Sequence, residues 1–138
     1  MGKRAVPRVR PAHGPLTLDA GALVAVERND DTVDDQIRLA LRDGRPVMVP
    51  AGALAQVWRD RQRQALLARL LKQDGVDVVD LNEVAAKASG ELCARTRTSD
   101  VVDASVVVCA RAQRDSTVLT SDPTDLRQLD PTLDVRPV

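Results

Sequence analysis

Short apolar, β-branched runs alternate with helix-patterned segments along most of this chain, and that alternation restricts the fold more than any other feature. Runs such as LTLD at 16–19, PVMVP at 46–50 and VDVVDL at 76–81 have the length and composition of buried strands. The segments between them repeat apolar residues at helical spacing. Because strands separated by helices pair in parallel, the sequence predicts a three-layer α/β/α sandwich with a central parallel sheet.

The predicted elements follow one another closely. Five strands are expected at 16–19, 46–50, 76–81, 116–122 and 133–138. Seven helices are expected. Six lie at 20–27, 32–42, 51–58, 62–72, 82–95 and 123–129, and one long helix runs from a cap at 99 or 100 to 114. We expect one domain over 15–138, preceded by a flexible basic arm over 1–14 that carries four Lys or Arg residues and no acid.

Composition argues against several classes of protein. No apolar run approaches the roughly 18 residues of a membrane span, and the first residues lack the apolar segment of a secretory signal. Two cysteines, Cys93 and Cys109, do not form a disulfide framework, so we expect a cytoplasmic protein with no membrane partner. Twenty basic residues balance twenty acidic ones, so net charge by itself predicts no polyanionic partner.

Acidic residues stand where the predicted strands end and where the long helix begins. Asp19 ends the first strand, Asp122 follows the fourth by one serine, and Asp100 and Asp103 share a face of the helix start. Ligands of open parallel sheets bind at the carboxyl ends of strands. Oxygen ligands without His or Cys favour Mg²⁺ or Mn²⁺, which can activate water to hydrolyse a phosphodiester. Acid–base catalysis by histidine is disfavoured, because His13 lies in the arm.

Three of these acids also have a purely structural interpretation. Asp19, Asp100 and Asp122 could each cap the helix that follows, the last with Pro123 at the first helical position. Asp103 differs, because it lies inside the apolar stretch VVDASVVV, where an unpaired charge is costly.

Four segments resemble one known family. LTLDAGALVAVE (16–27), VPAGALAQVWR (49–59), TSDVVDASVVVCA (98–110) and VLTSDPTDL (118–126) are similar in order and spacing to PIN domains, in particular to VapC-like toxins of type II toxin–antitoxin systems. The resemblance implies an α/β/α sandwich, Mg²⁺- or Mn²⁺-dependent endoribonuclease activity on RNA, a homodimer, and inhibition by an antitoxin partner.

By position, Asp19, Asp103 and Asp122 correspond to the family's metal-site acids, and Asp100 is an additional nearby acid. Thr120 matches the small polar residue that often precedes the last acid by two. The family's usual glutamate after the second strand is replaced by Gln56, whose amide brings no charge and cannot act as a base.

The Gln56 replacement leaves two interpretations open. The missing charge could be supplied by another acid of the chain, for which the candidates are Asp100, Glu27 and Glu91. Alternatively, the chain is a catalytically weakened or inactive PIN domain that acts as an RNA- or protein-binding regulatory module.

Basic and aromatic residues near these segments are candidate RNA contacts. Arg59, Arg95 and Arg97 could hold the backbone, and Trp58 could stack on a base. A solvated loop for Arg95 and Arg97, and a core or dimer-interface role for Trp58, are the alternatives. A receiver-like phosphorylation domain is disfavoured because no lysine follows position 87, and a nucleotide-binding domain because no strand–helix turn is Gly-rich.

Overall fold

A five-stranded parallel sheet forms the centre of the computed structural model, which describes residues 14–138. The strands are β1 Leu16–Leu18, β2 Val47–Pro50, β3 Val76–Val79, β4 Thr117–Thr120 and β5 Asp134–Pro137. They lie in the order β3-β2-β1-β4-β5, and every neighbouring pair is parallel. The predicted basic arm, apart from its last residue, lies outside the described residues, and so does His13.

Within residues 14–138, seven helices cover the two faces of this sheet. They are α1 Ala20–Glu27, α2 Asp31–Arg42, α3 Ala51–Val57, α4 Ala65–Leu71, α5 Glu83–Thr96, α6 Val101–Arg111 and α7 Pro123–Leu129. Helices α1, α2 and α4 pack together, α5, α6 and α7 pack together, and α3 touches both groups through α1 and α6. The predicted α/β/α sandwich is confirmed.

The core is built from aliphatic side chains, because the chain has only one aromatic residue. All residues of β1 and β4 are buried, and Val47 and Val49 of β2 are fully buried beside them. Burial on both faces is typical of strands in a parallel sheet. Trp58, the one aromatic side chain, packs half-buried against this core. Among residues 14–138, no helix is both long enough and apolar enough to cross a bilayer.

The strand order creates a crevice at one end of the sheet. The chain runs outward from β1 through β2 to β3, and then crosses to the other side of β1 to form β4 and β5. The helices that follow β1 and β4 therefore leave the sheet in different directions, and ligands of open α/β sheets bind at such a reversal. Asp19 follows β1 and Asp122 follows β4, so both lie at this point.

Some predicted boundaries are wrong by a few residues. The helix expected at 62–72 begins only at Ala65, because the side chain of Gln64 bonds to the preceding loop and residues 60–63 form a turn. The third strand ends at Val79 rather than 81, and the long helix ends at Arg111 rather than 114. A turn follows Arg111, and in it Asp115 takes a left-handed conformation (φ 57°) that a helix cannot continue.

Candidate active site

An acidic cleft lies at the carboxyl ends of β1 and β4, with a volume of about 550 Å³. Its walls come from one side of α1 along its whole length, from the starts of α6 and α7, and from the end of α3. Six carboxylic acids line it: Asp19, Glu27, Asp100, Asp103, Asp122 and Asp125. The structure thus brings together all four acids that the sequence singled out. Glu91, the other acid considered, is exposed and does not line this cleft.

Asp19 is the most deeply placed of these acids, with 5% of its surface exposed. It caps α1, because its Oδ1 accepts the backbone N–H of Ala22 at 2.9 Å. Burial raises the pKa of Asp19, and hydrogen bonds from Thr120 and from the backbone of Ala22 and Gly21 partly oppose that shift. Asp19 therefore combines a capping role with a place at the bottom of the cleft.

Asp100 and Asp122 also cap helices, as the structural interpretation expected. Oδ1 of Asp100 accepts the backbone N–H of Asp103 at 3.0 Å, and Oδ1 of Asp122 accepts that of Asp125 at 3.4 Å. Pro123 occupies the first turn of α7. A carboxylate has about four lone-pair sites, so a cap bond does not prevent it from binding a cation.

Asp103 is the acid whose ionisation is most perturbed. It lies half-buried in the first turn of α6, and burial, together with the charges of Asp100, Asp19 and Asp125, raises its pKa to about 7. A hydrogen bond with the Asp100 side chain contributes in the same direction. Near neutral pH this carboxyl group therefore exchanges between its protonated and charged forms.

Asp125 was missed by the sequence analysis. It is exposed on α7, and a hydrogen bond with the Asp122 carboxyl group, together with the charge of that group, raises its pKa. Its place three residues after Asp122 repeats the spacing of Asp100 and Asp103, and that repetition was the only available signal. Two such pairs and Asp19 together make up most of the negative charge of the cleft.

Thr120 connects the acids of β1 and β4. Its hydroxyl oxygen accepts the backbone N–H of Asp122 at 2.8 Å, and its side chain is hydrogen-bonded to Asp19. Thr120 is fully buried at the end of β4. One hydroxyl thus helps to fix the positions of two acids from distant parts of the chain.

A close backbone approach holds the same two regions together. Gly21, in the first turn of α1, packs against Ser121, the residue between Thr120 and Asp122. A Cβ atom at Gly21 would lie 2.5 Å from Cβ of Ser121 and 3.1 Å from its backbone nitrogen. Only glycine fits here, because no side-chain rotation of Ser121 removes those two contacts.

The donor set of the cleft suits a hard divalent cation, although the carboxylates are not arranged around one as they stand. Among residues 14–138, no three Asp, Glu, His or Cys side chains are positioned to hold a metal ion. The carboxylates are directed instead toward helix N–H groups and toward one another. Crowded oxygen donors with raised pKa values are the chemistry that a bound Mg²⁺ or Mn²⁺ would relieve.

Gln56 and Arg59 complete the cleft at the end of α3. Gln56 is exposed and contributes a neutral amide. Arg95 and Arg97, by contrast, do not line the acidic cleft. Arg95 lines a second cleft with residues at the amino ends of β4 and β5, and Arg97 forms the left-handed end of α5 (φ 58°).

Comparison with known proteins agrees with this fold. The family model described as the PIN domain matches residues 16–130. No curated protein matches the sequence. Among solved structures, VapBC2 from Rickettsia felis, bound to a promoter DNA fragment, has a chain that is similar with a TM-score of 0.65 and 14% identity, over 89% of this chain and 98% of that one.

Two further structures show the same likeness. DNA-bound VapBC from Salmonella typhimurium gives a TM-score of 0.64 at 16% identity, over 90% of this chain and 98% of that chain. FitAcB from Neisseria gonorrhoeae gives 0.54 at 16% identity, over 87% and 95%. At these identities the similarity is one of fold.

Proposed function

Because the chain belongs to the PIN domain family, whose members are generally nucleases, we propose that it is a Mg²⁺- or Mn²⁺-dependent endoribonuclease that hydrolyses RNA phosphodiester bonds. The observation that supports this most is that Asp19, Asp103 and Asp122, from three separate segments, line one cleft at the strand reversal. A binding site for a hard cation needs such oxygen donors.

In this proposal Asp19, Asp103 and Asp122 would hold the cation, with Asp100 as a further ligand and Thr120 orienting two of the acids. A divalent cation bound there would supply a water of lowered pKa and positive charge for the phosphoryl oxygens. Asp103, whose pKa is raised to about 7 by burial and by its acidic neighbours, would have to lose its proton to bind such a cation.

The experiment is an RNA-cleavage assay on purified protein. We expect cleavage with Mg²⁺ or Mn²⁺, loss of cleavage with EDTA, and loss in the variants Asp19→Ala and Asp103→Asn. Asp77→Asn is the matched control, because Asp77 is an exposed acid on the edge strand β3 and does not line the cleft. Cleavage at the full rate by both cleft variants would show that these acids do not form the catalytic centre.

A second candidate function is favoured by Gln56. The neutral amide stands in the cleft where the family usually has a glutamate, so the chain would bind RNA or a protein through this surface while cleaving slowly or not at all. In that case the purified protein retains RNA in a filter-binding assay but gives no metal-dependent products.

We further propose that the chain acts as a toxin neutralised by an antitoxin, that it forms a homodimer, and that it works in the cytoplasm. The similar solved structures of VapBC and FitAcB support an antitoxin partner, and the free cysteines Cys93 and Cys109 support a reducing compartment.

Co-expression with the product of an adjacent short reading frame should yield a complex that no longer cleaves RNA. Light scattering on the free protein should give twice the mass of one chain.

A further inference from the structure

A loop rich in arginine borders the acidic cleft. It runs over 58–64 between α3 and α4 and carries Arg59, Arg61 and Arg63 with one acid, Asp60. Arg59 lines the cleft itself. An RNA strand placed over a cluster of carboxylates is repelled by them, so positive charge at the rim is needed to hold its phosphates.

Gln64 fixes the shape of this loop from inside. Only 4% of its surface is exposed, and within the described part of the chain its side chain bonds only to the loop and to the end of α3. Oε1 accepts the backbone N–H groups of Arg59 and Asp60 at 2.8 and 3.0 Å, and Nε2 donates to the carbonyl of Val57 at 3.0 Å. Gln64 stands at the N-cap position of α4 but its side chain does not cap that helix.

The side chain of Arg59 is fixed in turn by the end of α3. Its Nη1 donates to the carbonyls of Ala55 and Trp58 at 3.1 and 2.7 Å. A guanidinium group has five N–H donors in a fixed plane, so this anchoring through one nitrogen leaves donors for a phosphate. Backbone and side chain of Arg59 are thus both held, the backbone by Gln64 and the guanidinium by the helix end.

We infer that Gln64 is a positioning residue for RNA binding, which holds Arg59 at the rim of the acidic cleft so that its guanidinium contacts a phosphate of the bound strand. This inference rests on the proposed ribonuclease function. An arginine that is already ordered loses less conformational entropy on binding than a mobile one. The order that Gln64 imposes on Arg59 therefore increases the affinity of the protein for RNA.

The test uses Gln64→Met, which keeps the length of the side chain and removes its three hydrogen bonds, and Gln62→Met as the matched control. Gln62 is an exposed glutamine of the same loop whose side chain makes no bond to the residues described. We expect Gln64→Met to raise KM for RNA about tenfold with little change in kcat, and Gln62→Met to behave as wild type. The logarithm of the RNA affinity falls with the logarithm of the salt concentration, and the slope of this line should become shallower by about 0.7. That value is the contribution of one phosphate contact on a single strand.

A double-mutant cycle with Arg59→Ala separates positioning from general destabilisation. If Gln64 acts through Arg59, the double variant binds RNA no more weakly than Arg59→Ala alone. If Gln64→Met fails to fold, Gln64→Asn takes its place in the cycle, because it adds no charge and its shorter side chain cannot reach Arg59, Asp60 and Val57 together. The inference would be overturned if Gln64→Met had the same KM as wild type, or if its effect added fully to that of Arg59→Ala. The ribonuclease proposal would stand in either case. If the wild-type protein itself cleaved no RNA, both would be overturned.

Discussion

The backbone N–H of Asp103 donates to Oδ1 of Asp100 at 3.0 Å, so the residue that caps α6 also places its negative charge beside the acid with the most perturbed ionisation. A helix-capping role for Asp100 is therefore compatible with its proposed role as a metal ligand. The cap brings the two carboxyl groups together, and their mutual repulsion is part of what a bound cation would relieve.

Substitutions at Asp100 should separate the cap from the charge. Asp100→Asn keeps an oxygen that can accept the N–H of Asp103, so the free energy of unfolding should change by less than about 0.5 kcal/mol. Asp100→Ala should cost about 1 kcal/mol, the usual value of an N-cap. Both variants should lower the pKa of Asp103 toward 3.8, as followed by carboxyl NMR, since a neighbouring negative charge is gone. An unchanged Asp103 pKa in both would contradict the role given to Asp100.

Asp103 should make the metal-free protein less stable as pH rises. Because its pKa in the folded state is about 7, the native state keeps a proton between pH 4 and 7 that the unfolded chain has lost. The free energy of unfolding of the wild-type protein, minus that of Asp103→Asn, should therefore fall from about pH 4 to about pH 7 and then level off. Urea unfolding at several pH values, in the presence of EDTA, measures this difference. A difference that stays constant across this range, or grows in favour of wild type, would argue against the shifted pKa.

Restoring the acid at position 56 should increase activity. Gln56→Glu adds a seventh carboxylic acid to the lining of the cleft and can strengthen cation binding. We expect a lower concentration of Mn²⁺ for half-maximal RNA cleavage and a higher maximal rate. Ala86→Glu, on an exposed position of α5 outside the cleft, is the control for added charge. Good basal cleavage without any gain in Gln56→Glu would mean that the amide is already sufficient.

Two glycine substitutions should have opposite effects on stability. Gly21→Ala places a methyl group against Ser121, and such overpacking costs about 1–3 kcal/mol. Gly90→Ala, on the exposed face of α5 where a Cβ meets nothing within 4 Å, should stabilise by about 0.5–1 kcal/mol. Thermal unfolding of both variants compares them directly. Equal stability of the two variants would show that the approach of α1 to β4 is looser than described.

Much of the fold follows from local pattern, because each strand and helix carries its own periodicity. The start of α4 could not be predicted in this way. Residues 62–64 suit a helix by composition, and the outcome depends on the bonds that Gln64 makes to Arg59, Asp60 and Val57, which exist only once the loop is folded.

The site was predictable to a similar degree. Asp19, Asp100, Asp103 and Asp122 follow from strand ends and helix starts, where the topology of a parallel sheet brings residues together. Asp125 has no such marker, since it becomes part of the cleft through the packing of α7 beside α6. Arg95 and Arg97 precede Asp100 closely in sequence, yet neither lines the acidic cleft, because proximity along the chain does not decide which end of the sheet a side chain reaches.

The insertion of β1 between β2 and β4 also has a consequence for biosynthesis. Asp19 is synthesised well before its partners at the end of β4, because β2, β3 and six helices lie between them in the chain. A nascent product that has not yet reached β4 lacks Thr120 and Asp122 and cannot complete the acidic cleft, so the proposed ribonuclease activity would arise only once β4 and α7 have been made.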